Sequence, residues 1–278
     1  MKIEGGRTPA AFFFARVIRD AAVRPLLAMT SFVQSADFVI LRSPRQRASR
    51  RTQDMASFQR IYDLAAERKG GPEALEALIE PHRPKTRDEI ASTPAGRWLA
   101  AMTRFIFIAG FRWKVIDAKW PGFEDAFWGF DPNRCAMMSD ADTDALLKDT
   151  RIVRNAQKIS SVAPNARFLL DLAREHGSAG AFFADWPDDD FVGLLEVLKA
   201  RASRLGGESA MRFLRVMGKP SFITSRDVTA ALIREGVLDK PPSGKRDLQT
   251  IQDAFNAWSA ESGRDLTSIS RALALSAG

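Results

Sequence analysis

Residues 109–165 read AGFRWKVIDAKWPGFEDAFWGFDPNRCAMMSDADTDALLKDTRIVRNAQKISSVAPN, and this stretch decides the fold. It carries Trp113, Trp120 and Trp128, then Asp131-Pro132, a cap followed by a residue suited to the first helical position. Ser139 with Asp142 three residues later predicts an N-cap and an acidic first turn for a helix over 143–148. Arg151, Arg154 and Lys158 follow at spacings of three and four, which place them on one face if the segment is helical. From Ala156 to Glu175 runs the longest helical pattern, stopped by Gly177.

The flanks read as helix as well. Upstream, Ser57 caps a helix carrying Phe58, Ile61 and Tyr62 that closes at Gly70-Gly71; Pro72 suits the first turn of the next. Pro94 opens a longer one in which Trp98, Leu99, Met102, Phe105 and Ile106 share a face. Downstream, Trp186-Pro187 breaks the chain before a helix over 192–201, and the tail forms two amphipathic helices with Phe255, Trp258, Leu266 and Ile269 inward. Alternation of the strand type is scarce. Pro and Gly punctuation every ten to twenty residues predicts an all-α orthogonal array rather than a long bundle.

Charge separates the N-terminal segment from the rest. Residues 1–54 hold ten Lys/Arg against four Asp/Glu, a balance of +6 in a chain whose formal net charge is +7. They are expected to form a basic, disordered extension, with residues 55–278 as the helical domain; no apolar run reaches the length of a membrane span. The single cysteine excludes an intramolecular disulfide, and with two histidines it excludes a four-ligand Cys/His zinc site. Metal is therefore expected to be irrelevant to the fold.

Three motifs in order carry a family resemblance: Gly110-Phe111-Arg112-Trp113, Phe130-Asp131-Pro132, and Ile152-Val153-Arg154-Asn155-Ala156-Gln157-Lys158-Ile159. This succession resembles the DNA-3-methyladenine glycosylase I family of the helix-hairpin-helix DNA glycosylase superfamily, from about Met55 to the C-terminus. The resemblance implies that superfamily's helical array and a monomeric cytoplasmic enzyme without cofactor. Its partner would be double-stranded DNA containing a damaged base, and it would hydrolyse the N-glycosidic bond of an alkylated purine such as 3-methyladenine. Such an enzyme turns its base out of the stack into a pocket. An indole there suits a cationic purine, and a carboxylate suits the oxocarbenium-like sugar.

Residue by residue, the resemblance places Trp113 at the base-stacking face and Gly206-Gly207, directly before a helix, at a phosphate-gripping hairpin. Arg154 and Lys158 match the family at DNA-contacting candidates. Phe105 stands where the family has a base-reading glutamate, and the N-terminal Tyr-His-Asp-x-x-Trp-Gly segment is missing, with Tyr62-Asp63 at most a trace. The family's zinc ligands are also missing, so the termini must close by packing alone. The catalytic carboxylate would be Asp227 or Asp117. Against these stand ordinary structural roles: core for Trp120 and Trp128, core or stacking for Trp113, a helix cap or first-turn acid for Asp227, a surface ion pair for Asp117. A catalytically silent helix-hairpin-helix DNA-binding module is the alternative reading, and a helical protein–protein adaptor a third.

Overall fold

Caps set the first helices. The structure is a computed structural model that describes residues 56–277; the expectations placed on residues 1–54 lie outside it. Ser57 accepts from the Arg60 amide at the start of α1 (Phe58–Lys69), and left-handed Gly70 (φ 91°) closes it. Pro72 opens α2 (Pro72–Ile79), and a reciprocal Thr86/Glu89 capping box opens α3 (Arg87–Ala91). Next come α4 (Ala95–Ile108) and α5 (Trp113–Ala126), then α6 (Pro132–Ala136), capped by Asp131, and α7 (Asp140–Lys148), capped by Ser139 and Asp142.

The predicted long helix from Ala156 breaks in two, α8 (Ala156–Ile159) and α9 (Val162–His176). Pro164 lacks an amide for the Ser160 carbonyl, so the ladder cannot run through; the Ser161 amide and hydroxyl both turn back to Lys158 O instead. Then follow α10 (Ala179–Asp185), α11 (Phe191–Arg201), α12 (Gly207–Met217) and α13 (Arg226–Arg234). The tail gives α14 (Lys245–Ser262) and α15 (Leu266–Leu275). The described residues contain helices and no strand, so the all-α expectation is borne out.

Helix α4 is the hub. It packs against α5, α6, α8, α9, α10 and α12. Its Trp98 stacks on Phe183 at 4.1 Å and meets Phe213 edge-on at 5.8 Å, all three fully buried. A side chain of this size contributes about 1.5–3 kcal/mol when fully buried. Trp120 is half-buried against this core, stacked on Phe123 and Phe130.

Trp128 corrects its core expectation. Trp128, Gly129 and Phe130 take φ of 52°, 63° and 59°, a left-handed turn that buries Phe130 and leaves Trp128 37% exposed under the Arg134 guanidinium. Arg97 holds the turn, donating to Gly129 O at 2.8 Å and to both Glu124 oxygens. Two left-handed non-glycine residues cost of order 1–3 kcal/mol each and persist because these partners over-determine them.

The two ends of the described chain close by more than packing. Trp258 Nε1 donates to Ala56 O at 2.9 Å, and the Phe58 amide to Glu261 Oε2 at 3.0 Å. Arg264 binds Glu76 at 2.6 Å under the Tyr62 ring, whose hydroxyl donates to the same carboxylate. The Arg264 hydrogen bond holds the Glu76 carboxyl below its ordinary value of 4.5 against the opposing effect of burial. That pair therefore contributes fully at neutral pH and is lost as pH falls below about 4.5 through the folded-state value. Arg264→Ala is expected to lower stability by roughly 1 kcal/mol at pH 7, the pair being partly exposed. In urea titrations the deficit should shrink at pH 3.

Candidate functional site

Helix α4 ends at Ile108 and helix α5 begins at Trp113, and every residue from Ala109 to Val115 is exposed. Phe111, Trp113 and Val115 stand 40%, 44% and 41% exposed, interleaved with Arg112 and Lys114. An apolar knob of this kind needs a rigid base. Lys158 supplies it: its side chain is buried, and its ammonium donates to Phe107 O at 3.1 Å and to Ala109 O while lying 4.6 Å from the Phe111 ring. Those carbonyls are the unpaired acceptors at the end of α4, where a cation is favoured. Burial, and secondarily the Arg204 charge, lower the Lys158 ammonium from the usual lysine value.

This corrects the proposed basic face. Arg151 and Arg154 precede α8, so no single helix aligns them with Lys158. Asn155 caps α8 instead, accepting from the Lys158 amide at 3.1 Å. Arg151 binds Asp149, Lys158 is internal, and Arg154 remains exposed with no ion-pair partner among the described residues, like Arg112 and Lys114.

Trp113, Asp117 and Trp120 recur at spacings of four and three along one face of α5. Phe105, buried on α4, meets Trp113 edge-on with centroids 6.0 Å apart. Into this cluster reaches Arg104, the neighbour of Phe105. Its guanidinium carbon lies 5.3 Å from the Trp113 ring centroid and 5.7 Å from that of Trp120, and it pairs with Asp117. Three of the sequence-predicted residues, Phe105, Trp113 and Asp117, thus come together, and Asp117 is engaged by Arg104 as an ion pair. Arg104 was not foreseen; the signal was a lone cation inside the apolar run Met102–Ile108.

The second predicted element lies between α11 and α12. Gly206 caps α12 in an extended conformation, and Gly207 has φ +56°, left-handed and costly for any side chain. Both are exposed, and a Cβ at either would meet nothing within 4 Å. They line a concavity of about 310 Å³ with Lys199, Thr224, Gly244 and Lys245, so the N-termini of α12 and α14 share it. Fully buried Asn165 fixes the approach to this turn, accepting from the Ser203 amide at 2.7 Å and donating to Ser203 O at 3.1 Å. Arg204 donates to Gln157 on α8. Because α8 also carries Lys158, one short helix ties the glycine turn to the aromatic knob.

Asp227 sits exposed in the first turn of α13, behind the Ser225 cap, which accepts from the Val228 amide. That is the position of a first-turn acid. Among the described residues no group of three or more His, Cys, Asp or Glu is placed to hold a metal, and no helix is long and apolar enough to cross a membrane.

Residues 100–193, which contain the knob, the aromatic cluster and α8, match the methyladenine glycosylase family. Over this segment the chain is similar to that family. Two curated relatives agree. DNA-3-methyladenine glycosylase of Haemophilus influenzae is 28% identical over 78 residues, which cover 28% of this chain and 40% of the relative. DNA-3-methyladenine glycosylase 1 of Escherichia coli is 33% identical over 64 residues, covering 23% of this chain and 34% of the relative. The chain thus spans less than half the length of either. A crystal structure of 3-methyladenine DNA glycosylase I is also similar, with 23% identity and a TM-score of 0.41, covering 49% of this chain and 82% of its own.

Lys158 and Arg154 separate by substitution. Lys158→Met leaves two carbonyls unpaired and is expected to cost about 1.5–3 kcal/mol of stability while leaving the salt dependence of any DNA binding unchanged. Arg154→Ala should leave melting unchanged and reduce that salt slope by about one. Titrations at several salt concentrations, with melting curves for both variants, check the pair.

Proposed function

We propose that the chain is a DNA glycosylase that hydrolyses the N-glycosidic bond of an alkylated purine, of which 3-methyladenine is the type, and leaves an abasic site. One observation carries the reading: the exposed Trp113 face and its Phe105 and Arg104–Asp117 surroundings are tethered through α8 to an open glycine turn. A flipped base needs an aromatic surface, and the strand that carries it needs a phosphate grip at a fixed distance. The backbone of Gly206-Gly207 at the start of α12 supplies the grip. Arg112 and Lys114 within the knob, and Arg154 ahead of α8, supply exposed cations.

In this reading the array is of the helix-hairpin-helix type, with residues 55–278 as the working domain and double-stranded DNA as the partner. Trp113 stacks the base and Phe105 backs it. Asp117 faces the sugar only if Arg104 releases it, and Asp227, exposed in the first turn of α13, is the other candidate carboxylate. The second reading, a DNA-binding module without chemistry, is favoured by one feature, the Arg104–Asp117 ion pair, which engages the carboxylate nearest the indole.

Incubation with alkylated genomic DNA, with released bases identified, decides between the two. Release of a free purine supports the enzyme; tight binding without release supports the module. Two variants sharpen the outcome. Trp113→Ala is expected to slow single-turnover excision about tenfold or more, because losing a cation–π or stacking contact of order 1–2 kcal/mol is about one decade. Since Trp113 is half-exposed, its melting temperature should change little. Gly206→Val adds a side chain that the extended backbone accommodates but that fills the approach to the turn. DNA affinity should fall with melting unchanged, and an equal affinity would assign the turn to simple chain reversal.

A further inference from the structure

Arg204, two residues before the glycine turn, has φ +59°, a left-handed conformation that suits glycine and not a long side chain. Its neighbours hold it there. Fully buried Asn165 pins both the amide and the carbonyl of Ser203, and Leu205 is sunk in the core. Between these two anchors the chain bulges outward, and Arg204 is the exposed residue of the bulge. Strain of this kind gathers at functional sites. Glycine stands at 206 and 207, where the turn uses it, and arginine stands at 204, where glycine would be less strained.

The side chain gives the strain a direction. The guanidinium reaches back to α8 and donates to exposed Gln157, its one hydrogen bond among the described residues, and no carboxylate pairs with it there. Gln157 adjoins Lys158, whose ammonium holds the carbonyls beneath the knob. Burial first, and the Arg204 charge second, hold that ammonium below the usual lysine value. Two like charges thus lie between the glycine turn and the knob, with no carboxylate of the chain to offset them.

We propose that Arg204 binds a DNA backbone phosphate between the nucleotide stacked on Trp113 and the phosphate gripped by the glycine turn, and that the strained backbone at 204 aims it there. The inference rests on the glycosylase reading and adds a strand contact to it.

The chemistry suits the task. A guanidinium has five donors in a fixed fork that matches two phosphate oxygens, and the single bond to Gln157 leaves part of that fork open. A phosphate contact is indifferent to the base excised, so it serves an alkylated purine on the indole as well as any other. A structural role and a binding role also predict opposite signs. An arginine present for its Gln157 bond would add stability, whereas one held under strain for a phosphate subtracts from it.

The test uses the full chain and a duplex with one abasic-site analogue, titrated at several salt concentrations, with melting curves for each variant. Arg204→Gly is expected to weaken binding about fivefold to tenfold at low salt and to lower the salt slope by about one. Its melting temperature should rise by about 2–4 °C, because glycine takes this φ without strain. Arg204→Lys keeps both charge and strain, so its slope and melting should stay near those of the wild type. An unchanged slope in Arg204→Gly, a fall in its melting temperature, or an Arg204→Lys slope as flat as that of Arg204→Gly overturns the assignment. Release of a purine from alkylated genomic DNA by the wild type, measured alongside, keeps the glycosylase reading standing in each of those cases. If the wild type neither releases a base nor binds the duplex, both fall.

Discussion

The Lys158 ammonium closes the end of helix α4 by donating to Phe107 O and Ala109 O. Much else depends on that interaction. The last carbonyls of a helix need donors, and here the donor comes from a four-residue helix far along the chain. Because it is supplied from α8, the end of α4, the exposed turn that follows and the start of α5 are held in one register. A buried cation is tolerated there because the partial negative charge of the helix terminus and the Phe111 face both oppose its charge.

From this anchor the site extends in two directions. Toward α5, an aromatic ladder runs from exposed Trp113 past the Arg104 guanidinium to Trp120 and then to buried Phe123 and Phe130, so the exposed ring rests on the core. Toward α12, Gln157 and Asn165 grip Arg204 and Ser203, the two residues that lead into the glycine turn. An exposed indole and an open glycine turn are thereby mounted on rigid helices, as the proposed handling of a flipped nucleotide would require. The strained turn at Trp128–Phe130 adds a second exposed indole, fixed from behind by Arg97 and Glu124.

Helix caps and glycine stops were legible because they are local. Ser57, Asp131 and Ser139 each bond to an amide two or three residues away, and such contacts need nothing from the rest of the fold. The all-α class followed from the same local signals, summed over the chain. Periodicity failed at Ala156–Glu175, where apolar spacing hides the missing amide of Pro164. It failed again at Trp128, because backbone handedness rather than hydrophobicity decides which way that ring faces.

By itself the sequence determined the helical class, the capped starts, the aromatic turn at Trp113 and the glycine turn at Gly206-Gly207, all properties of residues close along the chain. Only the tertiary structure decided what the charged groups do. Lys158 looked like one of a row of phosphate-binding cations and became an internal strut. Asp117 looked like a candidate carboxylate and became the counter-ion of Arg104, a residue whose place over two indoles no spacing announces. The physical reason is the same in both cases. A charge is free or engaged according to which partner the fold brings within a few ångströms, and here those partners lie on other helices, 13 residues away for Arg104 and Asp117 and 49 for Lys158 and Ala109.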